Sequence, residues 1–186
     1  MVFLHSNNSL KPDIILDRDG VINIDSDDYV KSADEWIPIK HSIDAIAILH
    51  KAGHRVFVAT NQSGVGRGYF SLDTLAAMHD KMHRLVNDKG GLITDIAFCP
   101  HSPEEGCDCR KPKSGLLTQL SDKHSIQLNN AVVIGDSLRD LEAAFDVEAK
   151  AVLVLTGKGK KTQQANPDLN IPIFENLYDA VQSTLT

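Results

Sequence analysis

Short runs of Val, Ile, Leu and Ala recur along the chain, separated by stretches in which apolar residues return every three or four positions. The runs at Ile14–Leu16, 55–59, 93–98, 131–134 and 151–155 are nearly continuous in hydrophobicity, the pattern of strands covered on both faces in a parallel sheet. Between them the periodicity predicts helices. Ser42–Lys51 carries apolar residues at helical spacing and stops before Gly53, a usual helix-ending residue. Residues 71–87 open on an N-cap serine and align Leu75, Met78, Met82 and Leu85 on one face. Helices at 114–124 and 138–147 follow, and a short run at 171–174 precedes a last helix. Strand–helix alternation predicts right-handed crossovers and a three-layer α/β sandwich on a mostly parallel sheet. The tail "TGKGKKTQQANPDLN" lacks the glycine spacing of a Walker motif and reads as a polar, basic surface loop.

Composition narrows this picture. With 186 residues, 42% hydrophobic and 24% charged, one compact domain over 1–186 with a full core is expected. The longest apolar runs are far too short to cross a bilayer, which argues against a membrane partner. The start "MVFLHSNNSLKPD" has no basic segment followed by an apolar one, so no signal peptide is read and a cytoplasmic protein is expected. A formal charge of −6 argues against a nucleic-acid partner, since phosphate backbones want a basic face. Nothing demands more than a monomer. The three cysteines, at 99, 107 and 109, cannot all pair within one chain and do not form a disulfide framework.

The chemistry sits where the apolar runs stop. The first ends in "IILDRDGVIN" (14–23), which puts Asp17 and Asp19 at a strand's carboxyl end, where open parallel sheets bind ligands. Residues i and i+2 of an extended segment point the same way, so both carboxylates face one site. Their repulsion leaves one protonated or is relieved by a divalent cation. A plain strand-end pair of turn and cap residues is the alternative. The second run ends in Thr60 and enters "NQSGVGRG", whose freed backbone N–H groups suit a phosphate, or which is simply a flexible loop. In "CRKPKSG", Arg110 and Lys111 precede a helix start; they suit an anion, or form a surface basic pair. "AVVIGDSLRD" places Asp136 at a further strand end and Asp140 four residues on, which would complete a magnesium site of oxygen ligands.

The joint order, strand-DxDG, strand-TN, Lys, strand-GD, resembles the haloacid dehalogenase-like (HAD) phosphohydrolase superfamily over 14–155. The resemblance implies a Rossmann-like fold in which Asp17 is the nucleophile and takes the phosphoryl group as an aspartyl-phosphate. It implies that Asp19 is the general acid and then the base, and that Thr60 and Lys111 hold the phosphoryl oxygens. Mg²⁺ would be bound by Asp17, the main-chain carbonyl of Asp19, and Asp136, with Asp140 supporting rather than ligating. Such a cation and Lys111 offset the repulsion between carboxylates and a dianionic phosphate.

"FCPHSPEEGCDCRKP" offers Cys99, His101, Cys107 and Cys109 within eleven residues, a tetrahedral zinc set with no open position and therefore structural. An unligated loop with reduced thiols is the alternative. A zinc knot would stiffen the loop and aim Arg110 and Lys111.

About forty residues separate Asp19 from Thr60 and about fifty separate Thr60 from Lys111, and the elements assigned use both intervals, so no cap domain is expected. Substrate contacts then fall to loop residues: Asp25, Ser26, Asp27 and Asp28, then Asn61, Gln62, Ser63 and Arg67, with Arg110 and Ser137. The string DRDGVIN…YVKS…TNQSGVGRG…CPH…CDCRKP…GDSLRD is similar to the heptose-bisphosphate phosphatase branch of the superfamily. That resemblance implies a small phosphorylated sugar as substrate and gives Arg110 a second phosphate to grip. Histidinol-phosphate phosphatases of the same branch are the near alternative, favoured by the acidic "DSDD". A polynucleotide 3′-phosphatase shares the chemistry, but the negative charge of this sequence and its lack of a basic, aromatic-lined channel count against that reading. A non-catalytic binding protein on this fold is the alternative from another class.

Overall fold

The computed structural model describes residues 11–184; the amino-terminal stretch on which the expectation of no signal peptide rests lies outside the described residues. Six parallel strands, β1 (Ile14–Leu16), β2 (Val56–Asn61), β3 (Asp95–Cys99), β4 (Val132–Gly135), β5 (Lys150–Val154) and β6 (Ile173–Phe174), form one sheet in the order β3-β2-β1-β4-β5-β6. Helices α1 (Ser42–Lys51), α2 (Ser63–Gly66), α3 (Leu72–Asp88), α4 (Gly115–His124), α5 (Leu138–Asp146), α6 (Gly159–Ala165) and α7 (Leu177–Thr184) connect and follow them.

The continuous apolar runs are split by the two-residue repeat of a strand. Ile14 and Leu16, Val56 and Val58, and Val132 and Ile134 pack with Ile46, Leu75, Met78 and Val181 on one face. Ile15, Phe57, Ala59 and Val133 pack with Leu116, Leu120, Leu141 and Ala144 on the other. Each fully buried aliphatic side chain contributes roughly 1.5–3 kcal/mol. The helix at 71–87 begins as its sequence signals: the Ser71 hydroxyl accepts from the Thr74 N–H.

Register positions the site. Leu16 lies opposite Ile134 and Val58, so Asp17, the first residue past β1, is level with Gly135, the last of β4, with Asp136 and Thr60 one step beyond. The Asp17 N–H donates to the Ile134 carbonyl at 2.9 Å. The segment between β1 and α1 folds back on itself: Ile24 donates to the Ile37 carbonyl and Ile39 to the Ile22 carbonyl, both at 2.9 Å. Fully buried Trp36 anchors it. This arm overhangs the strand ends, and no inserted cap interrupts the sheet among the described residues.

The basic tail corrects the sequence reading. Gly159–Ala165 is helical, and the loop before it turns inward. Gly157 adopts φ +54 and lies so close to Gly20 that a Cβ there would sit 2.6 Å from the Gly20 Cα. The Thr156 hydroxyl donates to the Gly20 carbonyl at 2.6 Å. The close approach of two glycine backbones and the Thr156 hydrogen bond, not hydrophobic periodicity, hold this segment.

Candidate active site

At the strand ends the fold brings Asp17, Lys111, Asp136 and Asp140 together. Lys111, 3% exposed, directs its ammonium to Asp17 Oδ1 at 3.0 Å, Asp140 Oδ1 at 2.6 Å and the Ala59 carbonyl at 2.6 Å. Three acceptors match its three protons. Burial alone pulls this ammonium down, but the Asp140 and Asp17 charges outweigh it and hold it far above its ordinary value. Asn61 fixes the backbone beneath: its amide donates to the Lys111 carbonyl at 3.0 Å and its carbonyl accepts from the Lys111 N–H at 3.1 Å.

Asp140 is committed. Its Oδ2 accepts from the Ser137 N–H at 3.0 Å and hydroxyl at 2.7 Å, a cap on α5, while Oδ1 meets Lys111. Burial pushes its carboxyl up, yet Lys111 and these bonds hold it below the usual range. Asp17 Oδ1 accepts from the Arg18 N–H at 2.7 Å, and Asp136 Oδ2 accepts from the Lys158 N–H at 2.7 Å. Carboxylate oxygens of Asp17, Asp136 and Asp140 lie within 4.8 Å of one another. With Asp140 occupied, Asp17 and Asp136 each keep one oxygen without a partner among the described residues. Burial, against the pull of Lys111, pushes Asp17 up to about 7, with Asp140 and Asp19 adding repulsion. Burial and then Asp17 and Asp140 push Asp136 up to about 8. Two close, mutually repelling carboxylates with free oxygens fit a hard divalent cation.

Asp19 stands in a different environment. Arg18 Nη2 contacts both of its oxygens at 3.0 Å, the Asn23 amide donates to Oδ1 at 2.9 Å and the Gln62 amide to Oδ2 at 2.8 Å. Burial acts upward on this carboxyl, but Arg18, Asn23 and Gln62 together hold it below its ordinary value. The same Gln62 amide donates to the Thr60 hydroxyl at 2.9 Å, so Gln62 ties Asp19 to Thr60. Arg18 is 1% exposed, an unusual burial for a guanidinium; its Nη2 also donates to Gln62 Oε1 at 3.0 Å and Nη1 lies 3.4 Å from His79 Nε2. Burial and then the Arg18 charge push His79 down to about 3, so the ring is neutral.

A cleft of about 220 Å³ opens over these groups, lined also by Asp25, Ser26, Asp27, Tyr29, Asn61, Ser63, Phe70, Arg110, Ser137, Arg139 and Lys158. Asp28 and Arg67, expected at the substrate, are not among its lining; Arg67 instead pairs with Glu104 at 3.2 Å. Lys158 closes one side, its ammonium 3.0 Å from Asp25 Oδ2. Sequence reading missed Arg18, His79, Arg139 and Lys158. The first hides between two aspartates, and the last follows a glycine in a tail with no periodicity.

Cys99, His101, Cys107 and Cys109 converge beside β3. Their sulfurs are 3.5 Å (99–107), 3.1 Å (99–109) and 3.4 Å (107–109) apart, and His101 Nδ1 lies 3.3 Å from Cys109 and 3.6 Å from Cys99. Tetrahedral zinc with bonds of about 2.3 Å separates thiolates by about 3.8 Å, so the four atoms converge as ligands of one ion would. Arg110 follows directly, its Nη1 donating to the His101 carbonyl at 3.3 Å.

Known proteins share this architecture. The sequence profile of HAD-hydrolase-like proteins matches residues 108–180. D-glycero-β-D-manno-heptose-1,7-bisphosphate 7-phosphatase of Pseudomonas aeruginosa is 56% identical over 172 residues, 92% of this chain and 96% of that protein. The enzyme of the same name from Neisseria meningitidis is 53% identical over 172 residues, 91% of this chain and 92% of the other. The crystal structure of D,D-heptose 1,7-bisphosphate phosphatase from B. bronchiseptica, complexed with magnesium and phosphate, superposes with a TM-score of 0.91 at 44% identity, covering 94% of this chain and 98% of that one. At such identity across nearly the whole of both chains, the protein belongs to the heptose-1,7-bisphosphate 7-phosphatase family of HAD-type phosphatases.

Proposed function

We propose that the enzyme removes the 7-phosphate of D-glycero-D-manno-heptose 1,7-bisphosphate, on the route to ADP-heptose and the lipopolysaccharide core. The names of the relatives support that substrate and its β anomer. The observation that carries the chemistry is the pair of partly buried Asp17 and buried Asp136, each with a free oxygen, at the Lys111 ammonium.

Asp17 attacks the phosphorus of the 7-phosphate, and the bond to the sugar oxygen breaks as the aspartyl-phosphate forms. Thr60 and Lys111 hold the phosphoryl oxygens, and Lys111 offsets charge that would otherwise oppose Asp17. Asp19 gives its proton to the departing sugar oxygen and then takes one from the attacking water. The dianionic substrate favours the first role by adding like charge near Asp19; Arg18 favours the second by stabilising the carboxylate. Asp17, the Asp19 carbonyl and Asp136 would hold Mg²⁺, which supplies charge neutralisation of the phosphoryl group. Cys99, His101, Cys107 and Cys109 would hold a structural zinc that keeps Arg110 on the second phosphate. Asp25, Ser26, Asp27, Asn61, Gln62, Ser63 and Ser137 line the space left for the sugar. The Asp25–Lys158 pair neutralises one of the two carboxylates of the acidic loop that line the cleft, which leaves less for the amine of a substrate such as histidinol phosphate.

The test is phosphate release from the bisphosphate. Asp17→Asn abolishes turnover; a variant with wild-type turnover refutes the mechanism.

A further inference from the structure

The cleft lining carries six carboxylates (Asp17, Asp19, Asp25, Asp27, Asp136, Asp140) and five cations (Arg18, Arg110, Lys111, Arg139, Lys158). Four of those cations are engaged. Arg18 holds Asp19 and Gln62, Lys111 holds Asp17 and Asp140, Lys158 holds Asp25, and Arg110 leans on the His101 carbonyl. Arg139 has no hydrogen-bond or ion-pair partner among the described residues. It is exposed, in the first turn of α5, between the caps Ser137 and Asp140. Lys158 is close enough for the Arg139 charge to oppose its own. An exposed guanidinium turned into a cleft and left unpaired near another cation is arranged for an anion brought from outside.

We propose that Arg139 is a specificity-determining residue that joins Arg110 in holding the second phosphate of the substrate. This rests on the sugar-bisphosphate reading above. A phosphate monoester carries nearly two negative charges at neutral pH, and one guanidinium leaves about half of that unbalanced beside six aspartates. A second forked cation balances it and offers two further donors in a plane.

The test compares kcat/KM on heptose 1,7-bisphosphate and on heptose 7-phosphate, which lacks the second phosphate. Arg139→Met lowers the bisphosphate-to-monophosphate selectivity about tenfold, mostly through KM for the bisphosphate, the size of one charge-assisted hydrogen bond. Arg139→Lys restores part of it, and the wild-type selectivity falls as salt rises. A folded Arg139→Met enzyme that keeps the wild-type selectivity overturns the assignment while leaving the bisphosphate reading intact. A wild-type enzyme without preference for the bisphosphate overturns both.

Discussion

Replacing Lys111 by Met keeps most of the side-chain volume and removes the ammonium that Asp17, Asp140 and the Ala59 carbonyl share. The site is buried, so water does not replace the lost partner. Breaking a buried ion pair from one side costs about 3–5 kcal/mol. In a chain of this length each kcal/mol moves the melting temperature about 2–4 °C, so Lys111→Met should melt roughly 6–20 °C lower at pH 7. Lys111 holds the Asp140 carboxyl below its ordinary value. The stabilisation from that depressed carboxyl is full above its unfolded pKa and is lost as pH falls through its folded value. The gap between wild type and variant therefore narrows in acid. Adding Asp140→Asn to Lys111→Met removes the stranded charge and recovers part of the loss. Catalysis loses a cation aimed at the phosphoryl group, about 10²–10³ in kcat. Differential scanning calorimetry and a phosphate-release assay read both quantities. A variant that melts within about 2 °C of wild type and turns over within tenfold refutes the role given to Lys111.

Two further outcomes concern the metals. In the metal-free protein Asp17 and Asp136 are pushed up to about 7 and about 8, so the stability of their protonated forms is lost as pH rises through those values. Added Mg²⁺ should therefore raise the melting temperature more at pH 8.5 than at pH 5.5; an equal or larger shift in acid contradicts the ligand assignment. Elemental analysis should find one zinc per chain, and Cys109→Ser should lose it and raise KM for the bisphosphate. Full zinc content in that variant removes Cys109 from the ligand set.

The parts of the site legible in the sequence are those that interrupt an apolar run: Asp17 and Asp136 directly follow buried strands and Thr60 lies near the end of one, where burial makes a polar residue conspicuous. The cysteine–histidine cluster was legible because its members are close in sequence. Lys158 was not, because its place depends on two glycine backbones, Gly20 and Gly157, meeting across 137 positions. His79 was not, because one polar residue on the face shared by Leu75, Met78 and Met82 does not disturb a helical pattern. The charge state of Asp19 was not either: spacing puts two carboxylates together, but the buried Arg18, with Asn23 and Gln62, favours the ionised form of Asp19 while burial pushes Asp17 up.

The central claim is met most directly by ³¹P NMR of the enzyme acting on heptose 1,7-bisphosphate. The account predicts inorganic phosphate and heptose 1-phosphate as products, with neither formed by Asp17→Asn. Accumulation of heptose 7-phosphate, or product formation by that variant, would contradict it.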